Sequence, residues 1–242
     1  MFIGKTLAIM QPYFFPYLGY FSLMHHADAL ILFDVVEYDR KGWMHRNRVL
    51  KPGGDDWQYI RAGVKKPPYK ATIRDVRLVL DNSWIEQLFR QVEHYKLKAP
   101  FYEDTVNLLR ESLAENPTSL TELNKNILEH IRDYIGIYCP IYVFSEMDIE
   151  IDKVQHPGQW ALKICNKLNA NTYVNPIGGR DIFRVDEFLE QGVNIMFVKN
   201  ELSKYDQNNI RFQAGLSIID VLMFNSIDET RKLVENYTLL TY

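Results

Sequence analysis

The fold is decided by the stretch Thr6-Leu-Ala-Ile-Met10, followed by Gln11-Pro-Tyr-Phe-Phe-Pro-Tyr-Leu-Gly-Tyr20. The first five residues form a short apolar run, which predicts a buried strand. Pro16 suits the first turn of a helix, because its missing N–H costs nothing there. Tyr17 to His26 carries apolar residues on one helical face, and Ala29 to Phe33 is a second apolar run. This order of strand, turn, helix and strand predicts a βαβ unit in a parallel sheet.

The middle of the chain has a helical pattern. Three apolar stripes at helical spacing lie between residues 83 and 136 and predict a helical insertion beside the sheet. Further strands are predicted at Trp57 to Ile60, Ile73 to Leu80, Ile141 to Phe144, Thr172 to Asn175 and Ile195 to Val198. Later helices are predicted at Pro157 to Leu168, Phe183 to Gln191, Ser217 to Phe224 and Asp228 to Glu235. The sequence therefore predicts a single α/β domain over residues 1–242, with a Rossmann-like open parallel sheet and a helical insertion at about 83–136.

The composition excludes several classes of protein. Hydrophobic residues make up 47% and charged residues 24% of the chain, which is enough for a full core and excludes a disordered chain. The net charge of −3 gives no general basic field that could hold a polyanion. Two cysteines are too few for a disulfide framework, and no apolar run approaches the ~20 residues of a membrane span. We therefore expect a cytoplasmic protein without a membrane span.

The first candidate segment for chemistry is the proline-rich turn after the first strand. In an open parallel sheet, ligands bind beyond the carboxyl ends of the strands, and the start of a following helix attracts phosphate or carboxylate. The chain is rich in rings, with 15 Tyr, 13 Phe and 4 Trp, and such rings can stack on a sugar or a base. The substrate-binding residues predicted from this turn are Gln11, Tyr13, Tyr17 and Gly19.

The second candidate segment runs from Asp34 to Arg48. Asp34 follows the second strand, so its carboxylate should lie at the same edge of the sheet as the first turn. Glu37, Asp39 and His45 supply further acid–base candidates, and of this group Asp34 and His45 are the predicted catalytic residues, either of which could accept a proton. The binding residues predicted here are Tyr38, Trp43, Arg46 and Asn47, of which the arginine would hold phosphate or carboxylate. A charged hairpin that faces solvent remains the alternative.

Two later segments have structural explanations that compete with a binding role. The loop Tyr173-Val-Asn-Pro-Ile-Gly-Gly-Arg180 could wrap an anion with its backbone N–H groups, although most such loops are only turns. In Leu216-Ser-Ile-Ile-Asp220, the serine is well placed as a helix N-cap and the aspartate as its capping-box partner. The binding residues predicted from these two segments are Asn175, Gly178, Gly179, Ser217 and Asp220.

Several catalytic motifs are absent from the sequence. It has no Walker phosphate loop, His-Glu-x-x-His zinc motif, Gly-x-Ser-x-Gly elbow or Cys-x-x-Cys pair, and no Gly-x-Gly-x-x-Gly in the first turn. These absences argue against P-loop kinases, zinc hydrolases, serine esterases and NAD-dependent dehydrogenases. No metal site is predicted.

The first turn and its flanks resemble the opening signature of the WbqC-like family, in Ala8-Ile-Met-Gln-Pro-Tyr-Phe-Phe-Pro-Tyr-Leu-Gly-Tyr-Phe21. Many relatives have His immediately before Gln-Pro, where this sequence has Met10. The resemblance extends from residue 6 to about residue 225. The further matching segments are Ala27-Asp-Ala with Asp34, Trp43 with Arg46-Asn47-Arg48, Asn175-Pro with Gly178-Gly179, and Leu216-Ser-Ile-Ile-Asp220.

The resemblance implies a place in the biosynthesis of O-antigen, a part of lipopolysaccharide, or of another surface polysaccharide. It implies a transferase that moves an aminoacyl (glycyl) group to the amine of a nucleotide-linked amino sugar. The acyl donor could be an adenylate made from ATP with Mg²⁺, a charged tRNA or a thioester, so the expected partners are a nucleotide sugar and, as one donor, tRNA. The sequence does not determine the oligomeric state. Two alternatives stay open: an ATP-dependent nucleotidyl or adenylyl transferase, and a noncatalytic sugar-binding protein of the same pathway.

Overall fold

The first apolar run forms a central strand of a six-stranded sheet in the computed structural model, which describes residues 5–53, 56–208 and 211–241. The strands in chain order are β1 (Thr6–Met10), β2 (Ala29–Leu32), β3 (Arg46–Leu50), β4 (Trp57–Arg61), β5 (Ile141–Val143), β6 (Thr172–Pro176), β7 (Asn194–Asn200) and β8 (Tyr237–Thr241). The sheet has the order β5-β2-β1-β6-β7-β8, and only its β7–β8 pair is antiparallel. This order matches the Rossmann arrangement, in which the chain reverses direction across the sheet beside the first strand. The predicted fold class is confirmed.

Helices cover both faces of this sheet. In chain order they are α1 (Leu18–His26), α2 (Ser83–Val92), α3 (Tyr102–Leu113), α4 (Leu120–Ile135), α5 (Gln159–Leu168), α6 (Val185–Glu190), α7 (Ile218–Phe224) and α8 (Ile227–Glu235). Short 3-10 helices lie at Ile73–Asp75, Glu93–Leu97, Phe144–Glu146 and Ile177–Ile182. None of the helices within the described ranges is long and apolar enough to cross a membrane.

The central strands are buried on both sides, as their continuous apolar sequences predict. In β1, Leu7 and Ile9 pack into the layer formed with α5 and α6, whereas Ala8 packs into the larger layer formed with the other helices. The same alternation occurs in β2. Because β1, β2, β5, β6 and β7 are parallel, they end at the same edge of the sheet, which we call the carboxyl edge. The first turn and Asp34 both lie there.

The three predicted central helices are present as α2, α3 and α4, at the predicted place in the chain. The end of α4 is set by Gly136, which lies at φ 71° in the left-handed region and closes the helix through its N–H. The start is capped by Ser119, whose side chain accepts from the Glu122 N–H. The assignment of the whole chain to one domain stays a prediction.

The local structure differs from the predictions in two places. The strand predicted at Ile73 to Leu80 is wrong: Thr72 and Asp75 form a capping box there, which starts a 3-10 helix instead. The antiparallel strands β3 and β8 were not predicted, because β3 alternates charged and polar residues and β8 lies at the sheet edge. The pair Gly53-Gly54 also predicts a turn from the sequence, but Gly54 lies outside the described residues.

Candidate functional site

The turn between β1 and α1 has an unusual backbone. Phe15 lies at φ 41°, in the left-handed region that a bulky side chain rarely adopts, and its ring is fully buried. Such a conformation persists only where its surroundings hold it in place. Pro12 and Pro16 have no N–H, so the turn has two fewer backbone donors of its own. The carbonyl groups of the turn therefore need donors from other elements.

Three buried side chains supply these donors, and we name them the carbonyl clamp: Asn47 in β3, Asn124 in α4 and Ser217 before α7. The Nδ2 group of Asn47 donates to the carbonyl oxygens of Phe14 (3.1 Å) and Phe15 (2.9 Å). The hydroxyl of Ser217 donates to the carbonyl oxygen of Phe15 at 2.8 Å. The Nδ2 group of Asn124 donates to the carbonyl oxygens of Pro12 (2.8 Å) and Met44 (2.7 Å). The turn is thus fixed by three elements that are distant in sequence.

The same region joins the turn to the residues that precede and form β3. The Phe14 N–H donates to the Trp43 carbonyl at 3.0 Å, and the Ser217 N–H donates to the Arg48 carbonyl at 2.8 Å. The prediction of a common site requires the first turn and residues 43–48 to lie side by side. These two backbone hydrogen bonds show that they do.

The β3–β4 hairpin has two faces of different chemistry, because successive side chains of a strand point to opposite sides. The inner face carries Asn47, Val49 and Ile60, which are buried. The outer face is partly or fully exposed and consists of Arg46, Arg48, Trp57, Tyr59 and Arg61, together with the neighbouring Trp43. The alternative of a charged hairpin facing solvent therefore describes only one side of this segment.

Next to the outer face lies a group of titratable side chains, which we name the His45 cluster: Tyr13, Tyr38, Asp39 and His45. The Tyr38 hydroxyl lies 2.8 Å from Nδ1 of His45, and the charge of Asp39 acts on both Tyr13 and His45. Burial, followed by the charges of Arg46 and Arg61, lowers the pKa of His45 from 6.5 to about 4. Burial raises the pKa of Tyr38 to about 12. At neutral pH the imidazole is therefore uncharged and the phenol is protonated.

The second predicted proton acceptor, Asp34, lies at the carboxyl edge but is fully buried. Its Oδ2 accepts a hydrogen bond from the Ser145 hydroxyl at 2.6 Å, and its Oδ1 accepts from the Ser145 N–H at 3.1 Å. The residue thus ties the end of β2 to the segment after β5. Because Asp34 is fully buried, its carboxylate has no exposed surface that a substrate could contact in this conformation. Of the two predicted acceptors, His45 has the more open environment.

Of the remaining predicted residues of the first turn, Gln11, Tyr13 and Tyr17 are partly exposed and Gly19 is buried. The Gln11 carbonyl accepts from the buried Tyr20 hydroxyl at 3.0 Å. The ring of Tyr17 lies over Gly19, where an added Cβ would be 2.4 Å from a ring carbon. Gly19 therefore gives room to a side chain of the same turn, and the predicted approach of a substrate to its backbone has no separate support in this geometry.

The loop after β6 also has internal contacts. The Asn175 side chain accepts from the Tyr173 hydroxyl at 2.8 Å and donates to the Pro176 carbonyl at 2.8 Å. Gly179 leaves room for this amide, because an added Cβ would be 2.3 Å from Asn175 Nδ2. Gly178 is exposed and has open space around its Cα. The glycines are part of a 3-10 helix at the carboxyl edge, and their role in binding stays a prediction.

Asp220 lies at the centre of a buried polar group. Its carboxylate accepts hydrogen bonds from the Tyr95 hydroxyl (2.6 Å), the Tyr205 hydroxyl (2.5 Å) and Gln207 Nε2 (2.7 Å). Burial raises its pKa from 3.8 to about 6, against the opposing effect of these donors. Ser217 caps α7 by accepting from the Ile219 N–H at 3.2 Å, as predicted, but the predicted capping box is wrong, because the Asp220 carboxylate is bonded to Tyr95, Tyr205 and Gln207 instead. Both side chains have all their contacts inside the protein, so they support the site rather than line its surface.

Three residues of this region were not predicted from the sequence. Arg61 and Tyr59 belong to β4, whose pairing with β3 could not be read from the pattern. Asn124 lies on the apolar stripe of α4, where it is fully buried. An amide at an apolar position of this stripe was the signal that the sequence offered.

Two clefts of about 670 Å³ lie elsewhere, one beside α8 and one beside β5, and neither is lined by a residue of the His45 cluster. Among the residues with described positions, no group of three His, Cys, Asp or Glu side chains could hold a metal ion.

The fold and the site together define a Rossmann-like α/β protein with a candidate binding surface beside its first strand-to-helix turn. The family model of the WbqC-like proteins matches residues 11–232, and the chain therefore belongs to the WbqC-like protein family. This confirms the resemblance seen in the sequence. One relative is uncharacterized protein Rv1507c of Mycobacterium tuberculosis (strain ATCC 25618 / H37Rv), which is 27% identical over 223 residues, 91% of this chain and 94% of the relative. No solved structure matches the chain.

Proposed function

We propose that this protein is an aminoacyltransferase of O-antigen or other surface-polysaccharide biosynthesis. It transfers a glycyl group from an activated donor to the amine of a nucleotide-linked amino sugar. Membership of the WbqC-like family supports the pathway. The observation that carries the reaction is the neutral His45, held by Tyr38 at 2.8 Å beside the cations of Arg46 and Arg61. A neutral imidazole can accept a proton, and the nearby cations can hold an anionic substrate.

The reaction requires a proton acceptor at one stage. The amine nitrogen attacks the acyl carbon, the new C–N bond forms, and the bond to the donor's leaving group breaks with its electron pair. The nitrogen of the tetrahedral intermediate is far more acidic than a free ammonium group, so a weak base can take its proton. His45 accepts this proton at Nε2 when its Nδ1–H donates to the Tyr38 oxygen. That tautomer is the one the proposal requires.

The neighbouring residues then bind and orient. Tyr13 and Tyr17 are partly exposed rings of the turn, and they stack on the sugar. The carbonyl clamp keeps the turn in one conformation, so these rings are presented in a fixed position. The donor belongs to one of three chemical classes, an adenylate, a thioester or an aminoacyl-tRNA.

The test combines the purified protein with a panel of nucleotide-linked amino sugars and three glycyl sources: glycine with ATP and Mg²⁺, a glycyl thioester, and glycyl-tRNA. We expect the mass of one sugar to increase by one glycyl unit. His45→Gln should lower kcat by about 100-fold, since general bases contribute at least that much. His25→Gln, at an exposed histidine near the end of α1, is the matched control and should keep full activity.

Other outcomes contradict the proposal. If no sugar gains a glycyl unit from any donor, the transfer is rejected. Pyrophosphate release from ATP together with transfer of a nucleotidyl group would point to the alternative reaction. Equal activity of the His45→Gln and His25→Gln variants would remove His45 from the mechanism.

A further inference from the structure

The outer face of the hairpin concentrates positive charge at one place. Arg46 and Arg61 are directly opposite each other in the β3–β4 pairing. Like charges at such opposed positions destabilise a hairpin. Within the described part of the chain, no carboxylate lies within ion-pair distance of Arg46, Arg48 or Arg61. The cost of bringing these cations together is therefore not offset by an ion pair there.

Two of these cations are held in place without being neutralised. Arg46 donates from one terminal nitrogen to the Lys41 carbonyl, and Arg48 donates from one to the Gly215 carbonyl at 3.1 Å. The Nε groups of both arginines are buried and have no hydrogen-bond partner within the described residues. A buried N–H without a partner is costly, so holding the two guanidinium groups in this arrangement lowers the stability of the hairpin. The guanidinium groups are therefore positioned but lack counter-charges.

Aromatic rings lie among the cations. The Tyr59 ring centre is 4.4 Å from Cζ of Arg46 and 4.9 Å from Cζ of Arg61. Arg48 lies 5.3 Å from the Trp43 ring centre and 5.1 Å from the Trp57 ring centre. All three rings are partly exposed. A surface that alternates unpaired guanidinium groups with ring faces suits a ligand with both phosphates and a planar base.

We propose that the outer face of the β3–β4 hairpin binds the diphosphate and the base of a nucleotide, with Arg46, Arg48 and Arg61 on the phosphates and Tyr59 on the base. This inference rests on the proposed function, which supplies the expectation of a nucleotide-linked substrate, and it assigns β4 a role in binding that the sequence did not indicate. Arg46 and Arg48 are two residues apart in β3, which separates their Cα atoms by about 7 Å. Such a compact group of cations fits a diphosphate, whereas an RNA backbone requires a longer basic track.

The site also lies next to the predicted proton acceptor. Arg46 and Arg61 are the cations that lower the pKa of His45, while Asp39 acts in the opposite direction. An anion bound between these arginines would offset their charge, and the pKa of His45 would then rise towards its usual value. His45 would thereby become a stronger base only while a nucleotide-linked substrate is bound.

The test measures binding alone, without an acyl donor. Uridine, guanosine, cytidine and thymidine diphosphates and inorganic pyrophosphate are titrated into the full chain by calorimetry. We expect at least one nucleoside diphosphate to bind with a Kd below about 1 mM. Arg61→Gln should raise the Kd of both that nucleotide and pyrophosphate by about tenfold. Tyr59→Leu should weaken binding of the nucleotide more than binding of pyrophosphate, because pyrophosphate has no base to stack.

Each variant has a matched control elsewhere on the surface. Arg110 lies 5.6 Å from the Phe89 ring centre, and Lys70 lies 5.5 Å from the centre of the exposed Tyr69 ring. Arg110→Gln and Tyr69→Leu therefore remove the same chemical groups from cation–ring pairs outside the hairpin. Both should bind like the original protein. Thermal unfolding of all four variants checks that they are folded.

Several results would overturn the proposal. These are no binding of any nucleotide, equal Kd values in the hairpin and control variants, or a Tyr59→Leu variant that binds the nucleotide normally. Binding of tRNA that Arg61→Gln abolishes, with no nucleoside diphosphate bound, would assign the face to RNA. The two proposals also fail separately. Nucleotide binding at the hairpin without glycyl transfer rejects only the reaction, whereas transfer with unchanged kinetics in Arg61→Gln rejects only this site.

Discussion

The two faces of the β3–β4 hairpin have the same backbone but opposite polar chemistry. On the inner face, Asn47 uses Nδ2 for two carbonyl oxygens of the first turn, and its Oδ1 accepts from the Arg48 N–H at 2.8 Å. On the outer face, three guanidinium groups share ring faces and have no carboxylate partner among the described residues. Adjacent residues of β3 thus differ in their polar contacts: Asn47 is fully hydrogen-bonded inside the protein, whereas Arg46 and Arg48 have no carboxylate partner among the described residues.

The difference separates residues that build the site from residues that are available to a ligand. A buried polar group with all partners supplied stabilises one conformation, and removing it leaves its partners unsatisfied. An exposed cation without a counter-charge contributes little to stability and can bind an anion. We therefore expect substitutions of the inner face to act on folding, and those of the outer face to act on binding.

Among these substitutions, Asn47→Ala is expected to lower the free energy of unfolding the most. It leaves the Phe14 carbonyl and the Arg48 N–H without partners and weakens the hold on Phe15, whose backbone is strained. We expect a loss of about 3 kcal/mol in the free energy of unfolding, measured by urea denaturation. Asn107→Ala, at an exposed position of α3, is the control and should change stability by less than about 0.5 kcal/mol. Equal stabilities of the two variants would show that the inner-face contacts do not fix the turn.

A second substitution tests the clamp from another element. Ser217→Ala removes the hydrogen bond to the Phe15 carbonyl and the cap of α7. The Phe15 carbonyl still accepts from Asn47, so the expected loss is smaller, about 2 kcal/mol by urea denaturation. The two clamp residues meet at one carbonyl, so their effects should not be additive in the double variant. Strict additivity would mean that they act independently of the turn.

The sequence predicted the parts of this region that depend on short-range pattern. The apolar run of β1, the proline at the helix start and the apolar stripes of α2 to α4 are local signals, and they led to the correct fold class. The outer face was predicted only in part, because Trp43 and Arg46 lie in the candidate segment from Asp34 to Arg48, whereas Tyr59 and Arg61 join them through strand pairing. The clamp depends on contacts across 112 residues for Asn124 and 202 residues for Ser217, which no local pattern encodes.

The third prediction concerns the buried carboxylate of Asp220, which supports α7 behind the clamp. Its pKa is raised to about 6, so between pH 4 and pH 6 the folded protein holds a proton that the unfolded chain has released. The stability contributed by this group is therefore present at low pH and lost as pH rises through that window. From pH 5 to pH 7 we expect a loss of about 1 kcal/mol that is absent in Asp220→Asn, measured by urea denaturation at both pH values. The same pH dependence in both proteins would contradict the raised pKa.

The smallest effect on stability is expected for Arg61→Gln. The side chain is exposed and its ring contact is with Tyr59, so the free energy of unfolding should change by less than about 0.5 kcal/mol. The pKa of His45, followed by NMR titration, should nevertheless rise above about 4, because one of the two cations that lower it has been removed. Arg110→Gln should leave that pKa unchanged. An unchanged pKa in Arg61→Gln would mean that burial alone keeps His45 neutral, and the electrostatic link between the outer face and the proton acceptor would be lost.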